Sequence, residues 1–346
     1  MKKRKVYMGM VLLPLLLGAV IVYASSVGTA SLSAGDSLVL ILNKIPVLKN
    51  MVDASGISGV YETIIWEVRL PRVLLAALAG GALGVVGAAF QGIFRNPLAD
   101  PYVLGVSSGA ALGATIAMMF GVQIELAGLG SIGAAAFLCA LITVFCIYQV
   151  SYMGGIPSMT NMLLAGTAIS TLLSSMISLL ITFNRGSLER VYMWTLGSFN
   201  AATWGKVQFM GAFLLIGSVV LWIFAQELNL MLTGEDNAKS LGVSIKRVRI
   251  VIIVTSSLLV AAAVSVSGVV GFVGLVVPHC VRIIFGVDYR YLIPFSMVSG
   301  AMFTVFCDTI ARTAAAPTEI PVGVVTALFG APFFLYLLFK QGRKKV

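Results

Sequence analysis

Between Arg249 and Arg282 the chain carries no charged side chain. A helix needs roughly 20 residues to cross a bilayer core, so the run from Ile250 to Val281 is long for one crossing and short for two. Without water, only helices or closed barrels can satisfy their own backbone. Barrel strands would alternate apolar and polar residues, and this run does not. Other apolar runs fall near residues 8–28, 69–92, 102–121, 126–149, 159–183, 203–226, 292–311 and 320–339. Only 10% of the chain is charged and its mean hydropathy is +1.02, against roughly 25% charged in a soluble domain. The chain reads as an all-α polytopic membrane protein, one transmembrane domain over residues 1–346.

Charge decides how often it crosses. "KSLGVSIKRVR" precedes the uncharged run, and Arg282 and Arg290 follow it. A single crossing would put these basic flanks on opposite sides. A turn back at "SGVVGFVG" keeps both flanks, and both basic termini, on the cytoplasmic side, where Lys and Arg accumulate. Glycine permits the break, and freed backbone groups are tolerated where protein or a cavity covers them. The count is then ten transmembrane helices, with runs at 248–267 and a short 269–285. Residues 1–7 and 340–346 are cytoplasmic, 29–62 form an outer loop, and 227–247 form the longest inner loop. The start, "KKRKVYMGMVLLPLLLGAVIVYASS", is longer than a signal-peptide core and reads as an uncleaved first span. Most of the 23 Lys and Arg fall inside. Arg69, Arg72, Arg185, Arg190, Lys206 and Arg312 are among those left outside.

Several classes are disfavoured. The net charge of +10 is spread between spans and at the two ends, a membrane-surface pattern and not a nucleic-acid footprint. Cys139, Cys146, Cys280 and Cys307 lie in apolar runs without a metal or disulfide spacing. No carboxylate sits in mid-span, which argues against proton coupling through an intramembrane acid. His279 is the single histidine and builds no metal site. Gly205-Lys206 is followed by Val207, with Asn200 where a first glycine would stand, so no phosphate-binding loop exists. If ATP drives the protein, another subunit binds it.

The segments "RLPR", "QGIFRNPLADPYVLGVSSGA", "MLLAGTAIS", "WTLGSFNAATW", "GFVGLVVPHCVR", "DTIAR" and "PTEIPVGVVTALFGAPFFLYLL" occur in this order. Together they resemble the FecCD family of ABC-importer permeases, over roughly residues 60–340. The resemblance implies a type II ABC-importer permease fold of ten helices in a bacterial or archaeal cell membrane. It implies a homodimer around a central pathway, two ATPase subunits beneath carrying ATP–Mg, and an extracytoplasmic substrate-binding protein. This chain would bind no cofactor or metal and catalyse no reaction. Ferric siderophore is the first cargo expected, with haem and cobalamin as alternatives. A gradient-driven secondary transporter is the rival of a different class.

The resemblance also assigns residues. Arg69, Arg72 and Arg312 would receive acidic side chains of the binding protein; arginines snorkelling to headgroups are the plain alternative. Arg69 and Arg72 would share a helix face, with Pro71 in the first turn. Gly234, Glu235, Ala238, Leu241 and Gly242 would form the ATPase coupling segment, a short helix stopped at Gly242. Asn96, Leu98, Ser158, Met159, Thr160 and Asn161 would form the inner gate.

Overall fold

The structure, a computed structural model, describes residues 2–28, 32–44, 52–53, 56–124, 126–151 and 159–342. No strand occurs among them. In chain order the helices are α1 (Lys2–Ser26), α2 (Ala34–Asn43), α3 (Gly59–Thr63), α4 (Leu70–Ile93), α5 (Val106–Phe120), α6 (Gly130–Ser151) and α7 (Met159–Phe183). They continue with α8 (Leu188–Thr195), α9 (Trp204–Ile223), α10 (Ala225–Met231), α11 (Glu235–Ser240) and α12 (Ile245–Ser267). The last are α13 (Val273–Phe285), α14 (Tyr289–Thr313) and α15 (Val322–Gly342). Among the described residues seven stretches are long and apolar enough to cross a membrane, and four shorter apolar helices accompany them, Ala34–Asn43, Val106–Phe120, Val273–Phe285 and Val322–Leu337; counting the last three as crossings gives the expected ten. Even parity places both ends of the chain on one face, called here the terminal face; the other is the far face.

The uncharged run turns back where glycine was expected to break it. α12 stops at Gly268, whose φ of +68° and ψ of −163° suit glycine alone. The backbone this frees lies inside protein. Ser198 N donates to Ser267 O at 2.8 Å, Tyr102 Oη donates to Val270 O at 3.0 Å, and Ser267 Oγ donates to Gly268 O at 3.1 Å. α13 then returns as the short span.

The second span is the axle of the fold. Residues Gly59–Ile93 run as one helical rod whose most apolar window is 89% buried. Small residues allow neighbours to approach it to backbone distance. A Cβ added at Gly80 or Gly84 would strike the carbonyls of Gly300 and Ser296 on α14, and one at Gly87 would strike Gly274 on α13. α1 and α7 lie at the periphery, each with 11% of its window buried.

Two local expectations change. The second span was to begin near residue 69 with Pro71 in its first turn, yet the helix starts ten residues earlier, at Gly59. Residues Ile64–Arg69 form a π-helical turn, and Leu70 N donates back to Ile65 O. That wider turn immediately precedes Pro71, whose ring would otherwise crowd the carbonyl four residues earlier. The stretch 29–62, expected as an outer loop, also contains a helix, α2, opened by Ser33, whose side chain accepts from Asp36 N at 3.0 Å.

Candidate functional site

On the far face, α1 ends with carbonyls that no longer have helical donors. Two arginines supply them. Arg69 Nη1 donates to Ser25 O at 3.1 Å and Ser26 O at 2.7 Å. Arg312 Nη1 donates to Val27 O at 2.8 Å, and its Nη2 bonds Ala24 O. Cations at a helix carboxyl end also complement its dipole. A Cβ at Gly28 would meet the Arg69 guanidinium at 2.6 Å and oblige it to shift.

Arg72 lies between the other two and serves carboxylates. Its Nε and Nη2 donate to Asp308 at 3.1 and 3.0 Å, and its Nη1 donates to Glu319 at 2.9 Å. Arg312 Nε stands 3.7 Å from Asp308 Oδ2. Asp308 is 1% exposed, and Arg69 and Arg72 are both buried. The structure therefore brings the three arginines expected to act together into one far-face cluster of three guanidinium groups and two carboxylates. Within the chain they act as helix caps and ion-pair partners. The structure also separates the targets of Arg69 and Arg72, which were expected to present one shared face. Asp308 was legible as the residue four before Arg312, a helical ion-pair spacing; Glu319 gave no such signal.

On the terminal face, α11 has the form its sequence implies. It opens at Gly234 and closes in a Schellman turn at Gly242, φ +85°. Val243 N donates to Ala238 O at 3.0 Å and Gly242 N to Lys239 O at 2.9 Å. Lys239 pairs with Asp236 at 3.4 Å. Leu241 is 64% exposed, whereas Ala238 is fully buried. Glu235 points inward, accepting from Arg95 at 3.2 Å and Arg249 at 2.5 Å. Glu235 and Ala238 thus position the segment, and Leu241 is its apolar tip. Neither arginine was assigned this part from the sequence.

The neighbouring frame is also pinned. Asn229 of α10 donates to Asp288 at 2.8 Å and accepts from Tyr289 N at 2.9 Å. Hydrogen bonds from Arg290, reaching 2.6 Å, and from Asn229 hold the Asp288 carboxyl down at about 2, against partial burial. In the loop after α4, Asn96 Oδ1 accepts from Leu98 N at 3.0 Å, closing its own turn. Thr160 and Asn161 stand exposed at the start of α7. Ser158 lies outside the described residues, and Met159 begins α7.

α7 and α1 are equally uncovered and both expose apolar side chains, on α7 Leu164, Leu172, Met176, Leu179 and Phe183, but α7 adds a polar stripe. α1 exposes Val11, Leu15 and Leu16. α7 exposes a line of hydroxyls at Thr167, Thr171, Ser175, Ser178 and Thr182, each donating to a carbonyl one turn back at 2.8–3.0 Å. Back-bonding occupies each proton and leaves the oxygen lone pairs outward. Spacings of three and four keep these oxygens on one side of the helix.

The FecCD transport family model matches residues 15–340. An uncharacterized ABC transporter permease, YvrB of Bacillus subtilis, is 42% identical over 82% of this chain and 80% of its own length. The cobalamin import system permease BtuC of Halobacterium salinarum is 42% identical, covering 82% and 75%. The hemin transport system permease HmuU of Yersinia pestis is 40% identical, covering 81% and 85%. A solved structure described as an inward-facing metal-chelate type ABC transporter superposes with a TM-score of 0.81 at 34% identity, over 95% of this chain and 97% of that one. An all-helical fold with several membrane-long apolar helices, a family model matched over residues 15–340 and relatives 40–42% identical over about four fifths of the chain make this polytopic membrane chain a member of the FecCD transport family.

Proposed function

We propose that the chain is the permease subunit of an ATP-driven importer for a metal chelate, and that two copies enclose the passage. The observation that carries this reading is the hydroxyl line on α7. A helix facing only lipid has no use for outward lone pairs along its length, as α1 illustrates. A passage for a polar chelate does, and weak acceptors let the cargo leave again. Relatives named for cobalamin and hemin import support a chelate cargo, so these two stand beside ferric siderophore as candidates. The chain itself catalyses nothing and holds no cofactor.

In this proposal the terminal face is cytoplasmic, in a bacterial or archaeal cell membrane. The clustering of Arg95, Lys239, Arg249 and Arg290 there follows the positive-inside tendency. Two ATPase subunits carrying ATP–Mg engage Leu241, Gly242 and the α11 surface from Gly234 onward. Glu235 passes their motion to Arg95, beside the gate residues Asn96 and Leu98, and to the base of α12. The gate is completed by residues 158–161, and the helices shift as rigid bodies. An extracytoplasmic binding protein docks over Arg69, Arg72 and Arg312. Because Arg72 is already engaged, an incoming carboxylate competes with Glu319, the more exposed of its two partners. Such contacts orient docking more than they add affinity.

The test is chelate uptake by proteoliposomes containing this chain, its ATPase and its binding protein. Uptake that requires both ATP and binding protein supports the proposal. Uptake by this chain alone, driven by an ion gradient, refutes it.

A further inference from the structure

Arg190 and Lys206 take no part in either cluster described above. Both line a cleft of about 830 Å³ on the far face, between the ends of α5, α6 and α12 and the short helix α8. Lys206 Nζ donates to Ala201 O at 2.7 Å, and Arg190 Nη2 donates to Ser187 Oγ at 3.3 Å. No carboxylate pairs with either cation among the described residues. Two neighbouring cations satisfied only by neutral oxygens retain donors for an anion.

The rest of the lining narrows the class of anion. Ser131 and Asn200 add polar groups beside the cations, while Met118, Ile132 and Met193 make an apolar wall. That wall continues onto uncovered apolar surface, since Phe120 is 68% exposed and Met193 48% exposed. The cleft lies where spanning helices end, the level at which phospholipid headgroups meet acyl chains. A small soluble anion would match the cations but leave the apolar wall wet. A zwitterionic lipid would match the wall but bring its own cation.

We infer that this cleft binds an acidic phospholipid, its phosphate between Arg190 and Lys206 and an acyl chain on the Met118–Ile132 wall. Basic pockets between spanning helices hold anionic headgroups elsewhere by the same balance of charge and greasy surface. Lipid retention is measured without cargo, ATPase or binding protein, so its outcome and that of the proposed function are read separately.

The experiment uses the full chain in nanodiscs of equal phosphatidylglycerol and phosphatidylcholine, followed by detergent extraction and counting of retained lipids by mass spectrometry. The wild type should retain phosphatidylglycerol preferentially. Arg190→Gln with Lys206→Gln should lower that retention roughly tenfold or more. Ile132→Asp, which leaves both cations but spoils the wall, should lower it too. Soluble glycerophosphoglycerol should fail to displace the lipid. Equal retention of the two lipids by the wild type overturns the inference without any variant. Unchanged retention in the double variant also overturns it, as does displacement by the soluble headgroup, which would mark a plain anion site.

Discussion

Replacing Asp308 with Asn tests the far-face cluster at its most buried point. The substitution removes the charge that accepts two bonds from Arg72, at 3.1 and 3.0 Å, and leaves the guanidinium buried. Breaking a buried pair from one side costs about 3–5 kcal/mol, because the abandoned charge has no water to return to. Glu319 still holds Arg72 Nη1 at 2.9 Å, which favours the lower end, about 3 kcal/mol. For a chain of this size each kcal/mol moves the melting temperature by roughly 2 °C, so the expected loss is about 6 °C on the same basis. Thermal unfolding of the purified chain in detergent reads it. Arg72→Met combined with Asp308→Leu should recover most of that loss, since apolar residues of similar volume often replace a buried pair without penalty. A drop below about 1 °C for the single variant, or a double variant at the sum of its singles, would refute the pairing.

Glu235→Lys places a cation against Arg95 and Arg249; ATP hydrolysed per chelate imported should rise several-fold in the assembled transporter, while an unchanged ratio would remove Glu235 from the coupling path. Gly300→Val should prevent α4 and α14 from closing, because even a Cβ at Gly300 would strike the Gly80 carbonyl; the expected readout is loss of monodisperse protein, and a normal elution profile would contradict the close crossing. Asp288 titrates at about 2 in the fold and near ~3.9 when unfolded, so its contribution is complete above about pH 4 and disappears as pH falls through 2. Asp288→Asn should therefore weaken the acid limb of a stability–pH curve and leave its slope between pH 5 and 8 unchanged; a changed neutral slope would contradict the assignment.

Hydropathy and charge made the crossings legible, because a bilayer forces each uncharged run into a helix and basic residues mark the side where it must end. The turn at Gly268 follows from that reasoning, whereas the stop of α11 at Gly242 follows from glycine's preference for the helix C-cap. What escaped were partners brought together from distant parts of the chain. Arg72 meets Asp308 and Glu319 only because α4 packs along α14, and no local spacing encodes that meeting. The same holds for Arg69 and Arg312, whose place on the face opposite the termini was readable but whose use as caps of α1 depends on where α1 ends in space. Pro71 misled for a local reason: a π turn let the helix run through a residue that usually marks a boundary. The hydroxyl line of α7 was visible as residue types, yet only the packing reveals that this face remains uncovered.

That uncovered face is the heart of the transport proposal, and cysteine accessibility measures it directly. With Cys139, Cys146, Cys280 and Cys307 replaced by serine, single cysteines would be placed at Thr171, at Ser178 and, as a lipid-facing control, at Leu15. In the assembled transporter a hydrophilic thiol reagent should modify the two α7 positions, with cargo slowing the reaction, and leave position 15 unreacted. Silence at 171 and 178 equal to that at 15 would mean that lipid covers this face, and the passage would have to be sought elsewhere.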